Sequence, residues 1–238
     1  MFSPCKASPY VVSIEGNIGS GKSSVISFLQ DYFGDSCFSI AEPVNKWTNF
    51  FSPDPFINQI ARWRSSPFNL LGSVYSDPFN YAHRMCYETL FTSVMNQIEA
   101  RNATFARLSV IERCCLSSVE VFASQGYRSM LEIDRIVIDS MFKHQKRIIP
   151  LPNLIIFLES PNINELMTRI QDRGRPEETN FISPYFLYDL EVKYNNLKSL
   201  VYDQNIAAVA AINVNGKTQE QVNDDVLNTV LRYVNPFF

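Results

Sequence analysis

Gly16-Asn17-Ile18-Gly19-Ser20-Gly21-Lys22-Ser23 fits the spacing G-x-x-x-x-G-K-[ST], and the residues on either side of it decide the fold. Before it, Tyr10-Val11-Val12-Ser13-Ile14 is a short β-branched run that reads as a buried strand. After it, Val25, Ile26, Phe28, Leu29 and Phe33 recur at helical spacing within Ser24 to Phe33. Strand, glycine-rich turn and helix is the arrangement a phosphate cradle needs. Glycines let backbone N–H groups turn inward, and the helix N-terminus adds partial positive charge where phosphate sits. In this reading Gly16 to Ser24 forms an ATP loop, Lys22 neutralises the β- and γ-phosphates, and the Ser23 hydroxyl ligates Mg²⁺. The competing reading is a glycine-rich turn that holds no ligand.

The bulk of the chain sets the frame for that loop. At 238 residues it is long enough for one sizeable α/β domain and short for two, so residues 1–238 are expected to form a single domain. Apolar residues make up 46%, enough for a packed core, while the 19% of charged residues hints at a surface covered by a partner subunit. A net charge of −3 offers no general attraction to a nucleic-acid backbone, so no nucleic-acid partner is expected. Five cysteines are odd in number and lack zinc-site spacing, which points to reduced thiols and a cytoplasmic location. The first ten residues lack a signal-peptide core, and no run approaches membrane-spanning length.

Along the chain, short apolar runs alternate with helical patterns. Cys37 to Ala41, Leu108 to Ile111, Leu154 to Leu158 and Ala208 to Val214 read as further strands. Proline-rich Val44 to Pro78 reads as loops with a short helix at Phe56 to Arg64. Asp77-Pro78 opens a helix to about Ala100 whose apolar positions cover more than one stripe, which predicts burial on two sides. Further helices are expected near Ser117 to Ser124, stopped by Gly126, and from Leu131 to Gln145, Asn162 to Asp172, Pro184 to Val201 and Thr218 to Val234. The alternation predicts a doubly wound parallel sheet of about five strands with helices on both faces.

A phosphate loop does not name a reaction, but charged residues at the other strand ends narrow it. Glu42, after the second strand, can act as a general base toward a substrate hydroxyl. Arg113 can point at the transferring phosphoryl group, and Glu112 beside it can help hold Mg²⁺. Arg169, Arg173 and Arg175, with Gly174 and Pro176 on either side of Arg175, suit a mobile loop that brings guanidinium groups to a γ-phosphate. Trp47, Tyr75, Tyr81, Met85 and Phe122 lie on segments near the same edge, where a nucleobase needs a flat apolar slot and a sugar hydroxyl needs a Tyr or carboxylate. Each feature alone has a plainer reading as a strand-end acid, an ion pair, a solvated helix end or core packing.

Together these motifs resemble the deoxyribonucleoside kinase family, which includes deoxycytidine, deoxyguanosine and mitochondrial thymidine kinases. The resemblance runs from Ile14-Glu15-Gly16-Asn17-Ile18 through Glu42-Pro43-Val44 with Trp47, Tyr75 with Asp77-Pro78, Glu112-Arg113 and Phe122, to Arg169, Arg173-Gly174-Arg175 and Glu177-Glu178. It implies a P-loop kinase fold with an arginine-rich lid, and a homodimer formed by helices. It also implies that Glu42 takes the proton from a nucleoside 5′-hydroxyl and that Arg113 restrains it. Tyr75 and Glu178 would hold the 3′-hydroxyl, Phe122 would stack on the base, Trp47 would close the pocket, and Arg169, Arg173 and Arg175 would form the lid. Three positions depart from the family. Cys86 stands where a glutamine usually bonds the base edge, and a thiol cannot supply that paired donor and acceptor. Cys114 replaces a serine. Ser93 and Ser118 align with a charged pair that favours deoxycytidine in some members.

The expectation is therefore a cytoplasmic, Mg²⁺-dependent enzyme of nucleotide salvage that moves the ATP γ-phosphate to the 5′-hydroxyl of a deoxynucleoside, with Met85 and Cys86 beside the base. The alternatives are a nucleoside monophosphate kinase on the same fold and a nucleotide-binding regulator that has lost catalysis.

Overall fold

Val11, Val12 and Ile14 are almost wholly buried, as are Leu154, Ile155 and Ile156, so apolar side chains of these strands point to both faces. Strands of that kind belong in the middle of a parallel sheet with helices on either side. The computed structural model describes residues 8–50 and 67–234. Its sheet contains β1 (Tyr10–Gly16), β2 (Cys37–Ile40), β3 (Leu108–Glu112), β4 (Leu154–Glu159) and β5 (Ala208–Asn213). All neighbours are parallel, in the order β2-β3-β1-β4-β5, and Val12 lies opposite Val110 on one side and Leu154 on the other. The chain thus winds to one side of β1 and then to the other. Ligands in such sheets bind beyond the carboxyl ends of the strands, at that reversal.

One face of the sheet packs on α1 (Lys22–Phe33) and the last helix, with Val25, Ile26 and Leu29 meeting Val222, Val226 and Val230. The other face, carrying Val11, Ile155 and Phe157, packs on the remaining long helices. These are α4 (Pro78–Asn102), α5 (Glu132–Ile148), α6 (Ile163–Arg173) and α8 (Pro184–Asp203). Between them lie the short helices α2 (Val44–Thr48), α3 (Leu70–Ser76) and α7 (Pro176–Thr179), and α9 (Gln219–Val234) closes the chain. The expected caps form. Asp77 accepts from Asn80 N at 3.3 Å, Asn162 from Glu165 N at 3.4 Å, and Thr218 and Gln221 exchange both bonds of a capping box.

Three expectations change. Helices α2 and α3 occupy a stretch expected to be loop, and the helix expected at Phe56 to Arg64 lies outside the described residues. Gly126 does not stop a helix. Helical turns run through Cys115–Ser117, a π-helical turn at Ser118–Ala123 and Ser124–Gly126 into Tyr127–Ser129. Position 126 is tight rather than terminal: a Cβ there would lie 2.8 Å from Met130 Cε and 3.3 Å from Ala82 Cβ. Helix α4, finally, buries only one of its two apolar sides within the chain. Leu90 and Val94 are buried, while Phe91, Met95 and Ile98 are exposed.

Candidate active site

The carboxyl ends of β1, β2 and β3 open into a cavity of about 930 Å³. At its floor the loop after β1 turns tightly. Gly16 has φ +146° and a Cβ there would come within 2.7 Å of Leu158 O, so only glycine fits. Lys22, the first residue of α1, folds back to donate from Nζ to Asn17 O at 2.8 Å. Ile18, Gly19, Gly21, Lys22, Ser23 and Ser24 line the cavity, whereas Gly16, Asn17 and Ser20 lie behind that wall and shape it. Asn17 anchors the loop from behind. Its Oδ1 accepts from Ile18 N, and its Nδ2 donates to Leu187 O at 2.8 Å and Glu191 Oε2 at 3.1 Å, both on α8.

Glu112, at the end of β3, gathers three donors. Ser23 Oγ donates to its Oε2 at 3.0 Å, Glu42 N at 3.4 Å, and Lys22 Nζ stands 4.0 Å from its Oε1. Burial favours the neutral acid, but Lys22, Arg113 and these hydrogen bonds outweigh it and hold the carboxyl below the usual carboxylate range. Lys22 moves the other way. Burial, reinforced by Arg113, brings its ammonium down to about 8 despite the neighbouring carboxylates.

Arg113 is the hinge of the site. Its backbone is left-handed, with φ +62°, a conformation that costs a non-glycine residue on the order of 1–3 kcal/mol. Its own N–H bonds Ile14 O at 3.2 Å, and the next N–H, of Cys114, donates to Glu15 Oε1 at 2.7 Å. The guanidinium pairs with Glu42, donates from Nε to Tyr194 OH at 3.0 Å and from Nη2 to Gly16 O at 3.4 Å, and stacks 4.8 Å from the Phe122 ring centre. Burial alone would weaken its charge, but Glu42, Tyr194 and Glu112 hold its pKa well above even the normal arginine value. Glu15, fully buried behind it, has its carboxyl pushed up by burial, and its Oε2 has no hydrogen-bond partner among the described residues.

Arg169, Arg173 and Arg175 face the same cavity. Arg169 pairs with Glu165 and reaches Gly19 O at 3.5 Å. Glu178, buried, takes both Arg173 and Arg175, the latter at 3.2 Å. Tyr75 stands edge-on to Phe186, and its phenol is pushed up by burial and then by Glu178 and Glu42, the carboxylates around it.

At the far end the lining turns small and neutral. Cys86 is buried, with its thiol pushed up to about 12, so it is not a nucleophile near neutral pH. Ser118 Oγ donates to Ser93 Oγ at 3.1 Å, and Ser93 to Leu90 O at 3.0 Å. Met85, Trp47, Phe122, Asn96 and Gln125 complete this end; the buried Trp47 indole N–H has no hydrogen-bond partner among the described residues. The structure therefore brings Glu42, Trp47, Tyr75, Met85, Cys86, Glu112, Arg113, Phe122, Arg169, Arg173, Arg175 and Glu178 to one cavity with the loop. The sequence reading did not single out Tyr194, Glu191, Asn96, Gln125 or Gln219, whose side-chain oxygen lies 3.2 Å from where a Cβ on Gly21 would be. The Asn-Gly-rich loop gave no sign of the helix α8 partners far downstream.

Mg²⁺ takes oxygen ligands and keeps several waters, so one carboxylate, one hydroxyl and phosphate oxygens suffice for it. Ser23 Oγ and the ionised Glu112, 3.0 Å apart at the loop, are such a pair and fit that ion. Among the described residues no cluster of three or more His, Cys, Asp or Glu side chains offers a metal cage, and none of the helices is long and apolar enough to cross a membrane.

A family model described as deoxynucleoside kinase matches residues 12–235. Deoxycytidine kinase 2 of Gallus gallus is 27% identical over 219 residues, covering 82% of each chain. Deoxycytidine kinase of Bos taurus is 28% identical over 177 residues, 70% of this chain and 67% of the relative. Mitochondrial thymidine kinase 2 of Homo sapiens is 26% identical over 171 residues, 71% and 57% of the two chains.

Proposed function

The chain belongs to the deoxynucleoside kinase family, and on that premise we propose that it transfers the γ-phosphate of ATP to the 5′-hydroxyl of a deoxynucleoside, for nucleotide salvage in the cytoplasm. One observation carries this reading: a single guanidinium, Arg113, bonds both Glu42 and the backbone of Gly16, so a carboxylate base stands beside the phosphate loop. The acceptor hydroxyl lies against Glu42, which takes its proton as the oxygen attacks phosphorus in line. Lys22 and backbone N–H groups of the loop hold the β- and γ-phosphates. Arg113 and the lid residues Arg169, Arg173 and Arg175 meet the charge that spreads over the transferring group. Ser23 and Glu112 are the residues that would hold Mg²⁺, whose charge would offset that of the β- and γ-phosphates. Tyr75 and Glu178 take the sugar 3′-hydroxyl, and Phe122, Trp47, Met85 and Cys86 enclose the base.

A homodimer is part of the proposal. Phe91, Met95 and Ile98 on α4 are exposed, as are Ile133, Ile136 and Val137 on α5, and the two helices pack together, with Tyr87 OH donating to Asp134 at 3.3 Å. An apolar face of that extent is what a second copy covers. Light scattering should give twice the chain mass, and Phe91→Glu should give monomers.

The deciding experiment measures ADP release with each of the four deoxynucleosides, and competition against their monophosphates. Turnover of at least one nucleoside is expected. Protein that binds ATP yet turns over none, or that prefers monophosphates, overturns the reading.

A further inference from the structure

Glu15 is wholly buried on β1, and no step of the proposed reaction uses it. In the dry centre of a sheet a carboxylate is costly to bury unless it is hydrogen-bonded. Its Oε1 accepts twice, from Cys114 N at 2.7 Å and from Ser13 Oγ at 2.9 Å. Cys114 is also wholly buried, and it directly follows Arg113, the left-handed residue. That turn does what a strand cannot. Successive side chains of a strand point to opposite faces, so an extended chain through Glu112 and Arg113 would part the two. The left-handed residue instead lets both line the cavity, with Arg113 Nη1 and Glu112 Oε1 4.0 Å apart. Three consecutive residues of β1 grip the turn. Ile14 O accepts from Arg113 N, Glu15 Oε1 from Cys114 N, and Gly16 O from Arg113 Nη2. The first and last are backbone carbonyls that any residue would supply. The middle grip is a side chain, and a substitution can remove it.

We infer that Glu15 is a positioning residue, which by taking the Cys114 N–H holds the left-handed turn at Arg113 and so aims the guanidinium at Glu42. Glu15 does not line the cavity, and its effect on turnover passes through Arg113. The inference rests on the reading of Glu42 and Arg113 as the base and the arginine that restrains it.

Two substitutions separate reach from charge. Glu15→Gln keeps an acceptor oxygen at the same reach and gives up the charge. Glu15→Asp keeps the charge and falls one methylene short of Cys114 N. Turnover is measured with the deoxynucleoside used fastest, per ATP site counted by titration calorimetry. Glu15→Asp should lower kcat about tenfold, the scale of one lost hydrogen bond. Its KM for the nucleoside and Kd for ATP should stay within about threefold of the parent, and Glu15→Gln should keep all three within that range. Equal kcat in the two variants, the reverse order, or a loss of ATP affinity that matches the loss of kcat overturns the inference. Should Glu15→Asp not fold, Glu15→Gln decides alone: turnover near that of the parent supports the inference, and a tenfold loss overturns it. Because the effect passes through Arg113, adding Glu15→Asp to Arg113→Ala should cost less than about twofold more, and a second tenfold loss overturns the inference. Glu42→Gln separates the two levels. If its turnover is near normal, the reading of Glu42 and Arg113 falls. If it is impaired and Glu15→Asp is not, only the role of Glu15 falls.

Discussion

The phosphate end of the cavity and the base end are built on opposite plans. At the loop, every charge has several partners. Arg113 touches Glu42, Tyr194 and Gly16 O, Glu112 receives Ser23 and Glu42 N, and the loop is pinned from behind by Asn17. The base end holds a buried thiol, two serines bonded to each other, and the amides of Asn96 and Gln125. A dense charged lattice tolerates little change without loss of the reaction, because removing one member leaves another buried and uncompensated. A lining of small neutral groups can change its ligand at modest cost. On the proposed function, the reaction belongs to one end and selectivity to the other.

The largest expected effects fall at the loop. Glu42→Gln should lower kcat by roughly 10² or more with nucleoside affinity nearly kept, as for loss of a positioned base; near-normal turnover would remove Glu42 from the chemistry and blur the contrast. Lys22→Ala should cost roughly 10²–10³ in kcat/KM for ATP, as for loss of a preorganised charge at the transferring group, while calorimetry shows nucleoside binding unchanged. At the base end Cys86→Gln restores a paired donor and acceptor, and should shift the ratio of kcat/KM between two bases by about tenfold, a value of one hydrogen-bonded contact, with kcat on the better substrate little altered. A collapse of kcat there would show that the two ends are not separable. The smallest effect is with pH. Lys22 is lowered to about 8, so its charge is lost as pH rises through that value, and phosphate, which needs the charge, binds less well. KM for ATP should rise a few-fold between pH 8 and 9 and KM for the nucleoside should not; Lys22→Ala should abolish the rise.

The same contrast explains how much was legible beforehand. The loop and its flanking runs gave the parallel sheet because hydrophobic period and glycine spacing are local signals. The strand-end residues Glu42, Glu112 and Arg113 were legible because in a parallel sheet all carboxyl ends share one edge. Contacts between distant segments were not. Tyr194 and Glu191 sit mid-helix, and nothing in the sequence around them marks them as partners of Arg113 and Asn17. Helix α3 was missed because prolines crowd the stretch, although Asn69 followed by Gly72 is a usable cap signal. Helix α4 was read as buried on both sides because hydropathy does not say what covers an apolar face, and within this chain Phe91, Met95 and Ile98 stay exposed.

The clamp on Asn17 has a mechanical consequence. Helix α6 ends at Gly174, in a left-handed turn whose N–H returns to Ile170 O, above a buried Ile170. Helix α8 begins at Ser183, whose hydroxyl accepts from Phe186 N, and one turn later its Leu187 carbonyl is taken by Asn17. The stretch between these points, which carries Arg175, is therefore tied down at either end, and one of those ends is bolted through Asn17 to the glycine-rich loop.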